Sequence, residues 1–339
     1  MFDEKEIFKY NDLFSNFDLE NYIKNIKKVN ARKIKTNIKN LIVISNNKIE
    51  NCSSIKLNKN FLIAKNFNDN LNLLVNPSSM EKNSLSIKFI NSKSNFQIYL
   101  MDSLESLSYQ NFGINLYFLK SDVNISMLSF SNEKRVKLVE MKNFLKESKV
   151  NLDLSIFDNF SKFKISSTLL TKNSSINING ISFSVKQSKL DFFSEVKCLK
   201  PYSIAHLNFR SLLFDESNII LKGLIFIKKD AINCDTFLSM HSLKASNKCS
   251  SQILPMLCVE NNEVKAMHNA SSSYIDEEKV FYLSSRGIDE NQARFLIAEG
   301  FLKYLIKKMK NKNFVDLNLA IIEKIFQRKK IEINDVLNC

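Results

Sequence analysis

A mainly β body that gives way to a helical tail is the fold class this sequence predicts, and three observations predict it. Between residues 41 and 275 apolar side chains recur at every second position in short runs, the period of a half-buried strand. Clusters of Asn, Ser, Lys and Asp separate these runs, where an α/β fold would place helices. From residue 276 the apolar spacing changes to three and four, the period of an amphipathic helix. The chain thus divides into a region 1–40, a β region 41–275 and a helical region 276–339.

In chain order, residues 1–40 carry Phe8, Leu13, Phe17, Tyr22 and Ile26 at roughly helical steps, which suits one or two short helices. The β region follows with Leu85, Ile87 and Phe89; Phe96, Ile98 and Leu100; Ile114, Leu116 and Phe118; Val123 and Ile125; Val150, Leu152, Leu154 and Ile156; Ile176 and Ile178; Ile181, Phe183 and Val185. Each run sets apolar side chains on one face and Ser, Asn, Lys or Asp on the other. Runs of about five residues, repeated over more than 200, suggest a sandwich, a propeller or a solenoid. A solenoid is favoured because Asn and Ser can turn each rung without many glycines, although no strict period is visible.

In the tail, Asp276 stands as an N-cap, with Val280 placed to staple back onto Ile275 and with Glu277 and Glu278 where the helix dipole favours acids. Gly287 supplies a left-handed C-cap and Arg286 a cation in the last turn. Asp289 restarts a helix with Gln292 at capping-box spacing, and Ala293, Leu296, Ile297, Gly300, Phe301, Tyr304 and Leu305 form one apolar stripe. A third helix is expected from near Asp316, carrying Leu319, Ile322 and Phe326.

Composition narrows the function. An apolar share of 44 % over 339 residues is enough for a real core. The formal charge is +14, but only six of the 49 basic residues are Arg, and the lysines run through every segment. Lys, Asn, Ile and Phe have A/T-rich codons, whereas Gly, Pro, Trp and most Arg codons are G/C-rich, so a skewed genome accounts for the bias. A nucleic-acid surface would use Arg for bidentate contacts and gather its charge on one face. Nucleic acid is therefore not the expected partner. A basic solenoid binding polyanions such as RNA is the alternative, with a steep salt dependence as its signature.

Five glycines, at 113, 180, 223, 287 and 300, cannot write GxxxxGK[ST] or GxGxxG, so no nucleotide is expected to bind this chain itself. No apolar run approaches the roughly 20 residues of a membrane span. The opening MFDEKEIFKY does not read as a secretory or transit signal. Cysteines 52, 198, 234, 249, 258 and 339 show neither CxxC nor zinc-knuckle spacing. A soluble cytoplasmic protein with reduced thiols, several of them buried, is the expectation.

A motif lies at the junction of body and tail. Met267-His268-Asn269-Ala270-Ser271, then Tyr274-Ile275-Asp276-Glu277-Glu278, then Phe281-Tyr282-Leu283-Ser284-Ser285-Arg286-Gly287-Ile288-Asp289 resemble the signature of the SufB/SufD family of iron–sulfur cluster assembly scaffolds. In that family a His-containing turn leads into an acidic helix start, a phrase like FYLRSRGI and an AR-containing helix, supplied here by Ala293-Arg294 and Gly300-Phe301. The likeness extends upstream through Ser211-Leu212-Leu213-Phe214-Asp215, Lys222-Gly223-Leu224-Ile225 and Asp230-Ala231 to Pro255. It implies a right-handed parallel β-helix core between a short N-terminal helical region and a C-terminal helical domain.

Within the family the chain is more similar to the SufD branch. Met240 stands where SufB would carry a nucleophilic Cys, and Asn269 stands where SufB has Glu after the turn His. The resemblance implies a subunit that is not an enzyme in its own right. It would pair with a SufB-like scaffold in a heterodimer and hold one SufC-like ATPase through its C-terminal helices. Iron or a transient iron–sulfur cluster would sit at the partner interface. His268 matches the turn His and, as neutral imidazole, is the candidate iron ligand. The Cys often found two residues earlier in the family is Ala266 here. Arg286, Gly287, Arg294 and Phe301 are the candidates for partner contact. His206 and His241 lack motif support and are expected in core or surface roles, and Cys249 as a small buried residue.

Overall fold

The computed structural model describes residues 41–45, 48–51, 57–58, 61–76, 83–100, 109–131 and 136–337; the helices expected in 1–40 lie outside them. One sheet contains β1 (Leu41–Ser45), β2 (Lys48–Asn51), β5 (Asn70–Asn76), β7 (Lys93–Leu100), β9 (Asp122–Phe130), β11 (Lys149–Phe157), β13 (Ser175–Ser184), β15 (Ile204–Leu213), β17 (Asp235–Lys244) and β19 (Lys265–Tyr274). The other contains β3 (Leu57–Asn58), β4 (Phe61–Lys65), β6 (Asn83–Ile90), β8 (Tyr109–Leu119), β10 (Val136–Lys146), β12 (Phe160–Leu169), β14 (Lys189–Cys198), β16 (Asn218–Ile227) and β18 (Ser250–Val259). From β4 onward the chain crosses to the opposite sheet with each strand, and each strand pairs in parallel with the one two places on. That is a two-sheet parallel solenoid, which decides among the three architectures left open by the alternation. Three helices follow: α1 (Glu277–Ser284), α2 (Glu290–Ile306) and α3 (Lys312–Leu337).

Register explains why no strict period is visible. Neighbouring rungs are offset by 24 residues at Val136↔Phe160 but by 32 at Asn218↔Ser250, because the corners vary in length while the strands stay matched. Most strands are also about twice as long as the apolar runs. In the second sheet β14 and β16 alternate strictly between buried inner and half-buried outer residues. In the first sheet β9 and β11 begin that way and then become buried on both faces, because the helices cover their second halves. The runs Ile176/Ile178 and Ile181/Phe183 are therefore one strand, β13, whose apolar side chains face the interior first and the helices afterwards. Gly180 lies between, where the Phe209 ring occupies the space a Cβ would need.

The corners turn almost without glycine. Asn91, Lys120, Glu147, Asn173, Tyr202 and Asn233 each adopt a left-handed φ between 47° and 58° at successive passes of one corner. The next residue inward is Ser92, Ser121, Ser148, Ser174, Ser203 and then Cys234, all buried. The hydroxyls bind across rungs, as where Ser92 N–H donates to Ser121 Oγ (3.2 Å) and Ser121 N–H to Ser148 Oγ (3.0 Å). On the outer face an amide ladder runs through Asn70, Asn95, Asn124, Asn151 and Asn177 at 2.9–3.1 Å per step. Asn and Ser thus do turn and tie the rungs, as the composition led us to expect. One charge pair is sealed inside: Lys137 Nζ lies 3.0 Å from Asp158, and both side chains are almost wholly buried.

The tail packs on the outer face of the first sheet. Ala298, Leu302, Leu305, Ile306 and Phe326 meet Phe130, Phe157, Ile181, Phe183, Leu212 and Leu243. Asp276 and Asp289 cap their helices as predicted, accepting from the N–H groups of Glu278 and Lys279 and of Asn291 and Gln292. The third helix starts at Lys312, four residues before the expected Asp316, because Asn311 accepts from Phe314 N–H and begins the turn earlier.

Candidate functional site: the open last rung and the seat of the helical tail

Strands β18 and β19 form the last rung and are the end strands of their sheets. They match β16 and β17 in length, yet where β16 buries every inward residue, β18 leaves its inward residues half-exposed or, at Val259, exposed, and β19 is exposed almost throughout. Register places His268 directly above Leu238, in the inward column that runs through Ile178 and Leu207. His268 therefore stands at the mouth of the apolar interior. On the opposite strand Ile253, Pro255 and Leu257 continue the column above Leu221, Gly223 and Ile225. Ser242 Oγ donates to Ser251 Oγ (2.8 Å), which is 2.6 Å from Ser272 Oγ, so hydroxyls join the two sheets at the mouth. Around it Leu254, Met256, Val259, Met267 and Tyr274 are exposed.

The donor set at this mouth is small. Among the described residues no three of His, Cys, Asp and Glu come together as a metal cage. His268 can offer one imidazole nitrogen, and Ala266, packed against the core, offers nothing. Cys198, Cys234 and Cys249 are buried and Cys258 is exposed. Hydrogen bonding with Cys234, together with burial, holds the Cys198 thiol above the ordinary thiol range.

The other candidates lie in the tail. Gly287 adopts φ +87°, with Ile288 N–H donating to Leu283 O and Gly287 N–H to Ser284 O, the bond pair of a Schellman stop. Arg286 is exposed and its guanidinium lies 5.5 Å from the Tyr282 ring. Arg294 grips Glu277 with two bonds (2.7 and 2.6 Å) and Glu290 with a third (2.8 Å), tying α1 to α2. Those bonds hold Glu277 below the usual carboxylate range. Phe301 accepts from Arg210 Nη1 through its carbonyl (2.7 Å). Beside these, Phe281 and Tyr282 on α1 are 76 % and 57 % exposed.

Two polar anchors that sequence reasoning missed hold the tail to the solenoid. Asp153 on β11 is fully buried, accepting from Asn179 Nδ2 (3.0 Å) and from Lys310 N–H (2.8 Å) in the turn before α3. Burial pushes its carboxyl up to about 6 against those hydrogen bonds. Arg210 on β15 lies 4.1 Å from the Tyr304 ring and 4.8 Å from that of Phe301. Burial lowers its pKa. The only local signal was a charged residue within an apolar alternation, which does not say which face a helix will cover.

A parallel β-solenoid with a helical domain laid along one face and its final rung left open defines the class of protein. The comparisons with known proteins narrow it. Residues 89–301 match the family model described as the SUF system FeS cluster assembly SufBD core domain, and the chain belongs to that family. It is similar to the iron-sulfur cluster assembly protein SufD of Escherichia coli (strain K12), 26 % identical over 163 residues, 48 % of this chain and 38 % of that protein. A SufBD family protein of Pyrococcus horikoshii is 28 % identical over 154 residues, 44 % of this chain and 33 % of the relative. One of Staphylococcus saprophyticus is 26 % identical over 141 residues, 42 % and 30 %. The matched stretches thus span between 30 % and 38 % of these relatives' lengths. Within the family the likeness is to SufD.

Proposed function

We propose that the chain is a SufD-like, non-catalytic scaffold subunit of a SufBCD-type complex for iron–sulfur cluster assembly. The observation that carries the proposal is the open last rung, with two parallel strand edges and exposed apolar residues around the mouth. A SufB-like chain would extend these sheets and bury Leu254, Met256 and Met267. His268 would meet the iron or nascent cluster there, which is cargo of the assembly and takes its other ligands from the partner. In this reading the solenoid winds right-handed and the protein works in the cytoplasm. Nucleotide chemistry belongs to a SufC-like ATPase. That subunit would dock on the tail near Phe281, Tyr282 and Arg286, on the turn stopped by Gly287, while Arg294 and Phe301 hold the surface in shape from within.

Co-expression with SufB-like and SufC-like chains, followed by native mass measurement, should recover a complex containing all three. A chain that stays alone beside folded partners would refute the proposal. In a reconstituted system His268→Ala should leave the complex assembled and lower cluster yield; an unchanged yield would remove His268 as a ligand.

A further inference from the structure

On the outer face of the first sheet, Ile181, Arg210, His241 and Ser271 occupy one register position on β13, β15, β17 and β19. Ile181 is buried beneath the helices, whereas the next three are polar. At the tail side of this column Arg210 binds the Phe301 carbonyl and stacks on Tyr304. At the far side His241 Nδ1 is 2.6 Å from Ser271 Oγ on the edge strand, and Nε2 is 2.9 Å from Ser239 Oγ. Ser271 is three residues from His268.

We infer that Arg210 and His241 are positioning residues that couple the seat of α2 to the edge strand β19. The coupling is geometric; its use rests on the reading of β19 as the partner edge. Neutral imidazole offers one donor and one acceptor, so it can serve both serine hydroxyls at once. Burial, then the charge of Arg210, hold His241 below its ordinary range and keep it neutral near pH 7. A shift of Arg210 with the Phe301 carbonyl alters the field on the imidazole. A proton on the imidazole removes the acceptor and sets two cations side by side. Either event reaches Ser271. The other titratable groups around the column are Tyr304, stacked on Arg210, and Lys308, which donates to the Tyr304 hydroxyl (2.8 Å). β19 contributes Ser271, while His206 and Asp235 face each other at 3.5 Å farther along β15 and β17.

A pH titration of the full chain followed by amide NMR tests the coupling. Amides of residues 269–273 and 301–305 should titrate with one shared midpoint, below the ordinary histidine value of about 6.5. His241→Gln keeps a donor and an acceptor but cannot titrate, so it should remove that midpoint from both places; His241→Ala should in addition displace the β19 amides at neutral pH. Arg210→Met, which keeps the apolar stem, should raise the β19 midpoint and erase its trace on α2. Separate midpoints in the unmodified chain, or a trace on α2 that survives Arg210→Met, would overturn the inference. A shared midpoint in a chain that binds no SufB-like partner would refute the partner reading and leave the coupling standing.

Discussion

The two ends of the solenoid are finished differently. At the N-terminal end β2 and β3 run antiparallel to β1 and β4 and are only four and two residues long, so the regular parallel edge is replaced by short reversed strands. At the C-terminal end β18 and β19 are ten residues each and parallel to their neighbours. They have the geometry of an interior rung without the next rung to bury them. A solenoid buries its core by stacking, and an unstacked final rung leaves apolar inner faces and strand edges for another chain to cover. In the interior, side chains support the fold; at the mouth, the same alternation leaves apolar side chains exposed.

The contrast can be broken first in the interior. Phe192 is fully buried with its ring centroid 4.2 Å from that of Phe209, so Phe192→Ala should cost about 4 kcal/mol in urea unfolding. Leu257→Ala, at an inward position of the last rung, should cost about 1 kcal/mol; equal losses would mean that the mouth is covered. Next, Asp158→Ala would leave Lys137 sealed beside an empty place, costing about 3 kcal/mol and a clear drop in melting temperature.

A smaller effect sharpens the role of the covered face. Asp153 is raised in the folded state, so the stability it contributes is fully present below its unfolded value of about 3.8 and is lost as pH rises through about 6. Asp153→Asn fixes the uncharged form. Its stability relative to the unmodified chain should grow between about pH 4 and 6, by roughly 2 to 3 kcal/mol, and then stay constant. A gap independent of pH would show that Asp153 is not the buried anchor. Least of all should Met267→Lys disturb the isolated chain, within about 0.5 kcal/mol, because the residue is exposed. The same change should weaken capture of a SufB-like partner in a pull-down. Unimpaired capture would separate Met267 from the partner surface.

The strands were legible because period-two alternation is local, and the helix starts at Asp276 and Asp289 because capping is local too. The architecture was not decided by alternation, since corners of unequal length hide the repeat. The run through Ile176 to Val185 read as two pieces because the helices bury both faces of β13, which no strand pattern foretells. His268 was reachable through its motif, but its place at the mouth follows from register with Leu238, 30 residues earlier. Arg210 and His241 are 31 residues apart and adjacent only through strand pairing, so nothing local in the chain shows them to be neighbours.

The short reversed strands at the N-terminal end bear on stoichiometry. If both ends were parallel and open, copies could stack head to tail without limit, and the rotation per rung would decide between a ring and a filament. With one end diverted, the long parallel edges among the described residues are those of β18 and β19. Two solenoids meeting mouth to mouth would cover both long parallel edges, and neither would offer a second one among its described residues.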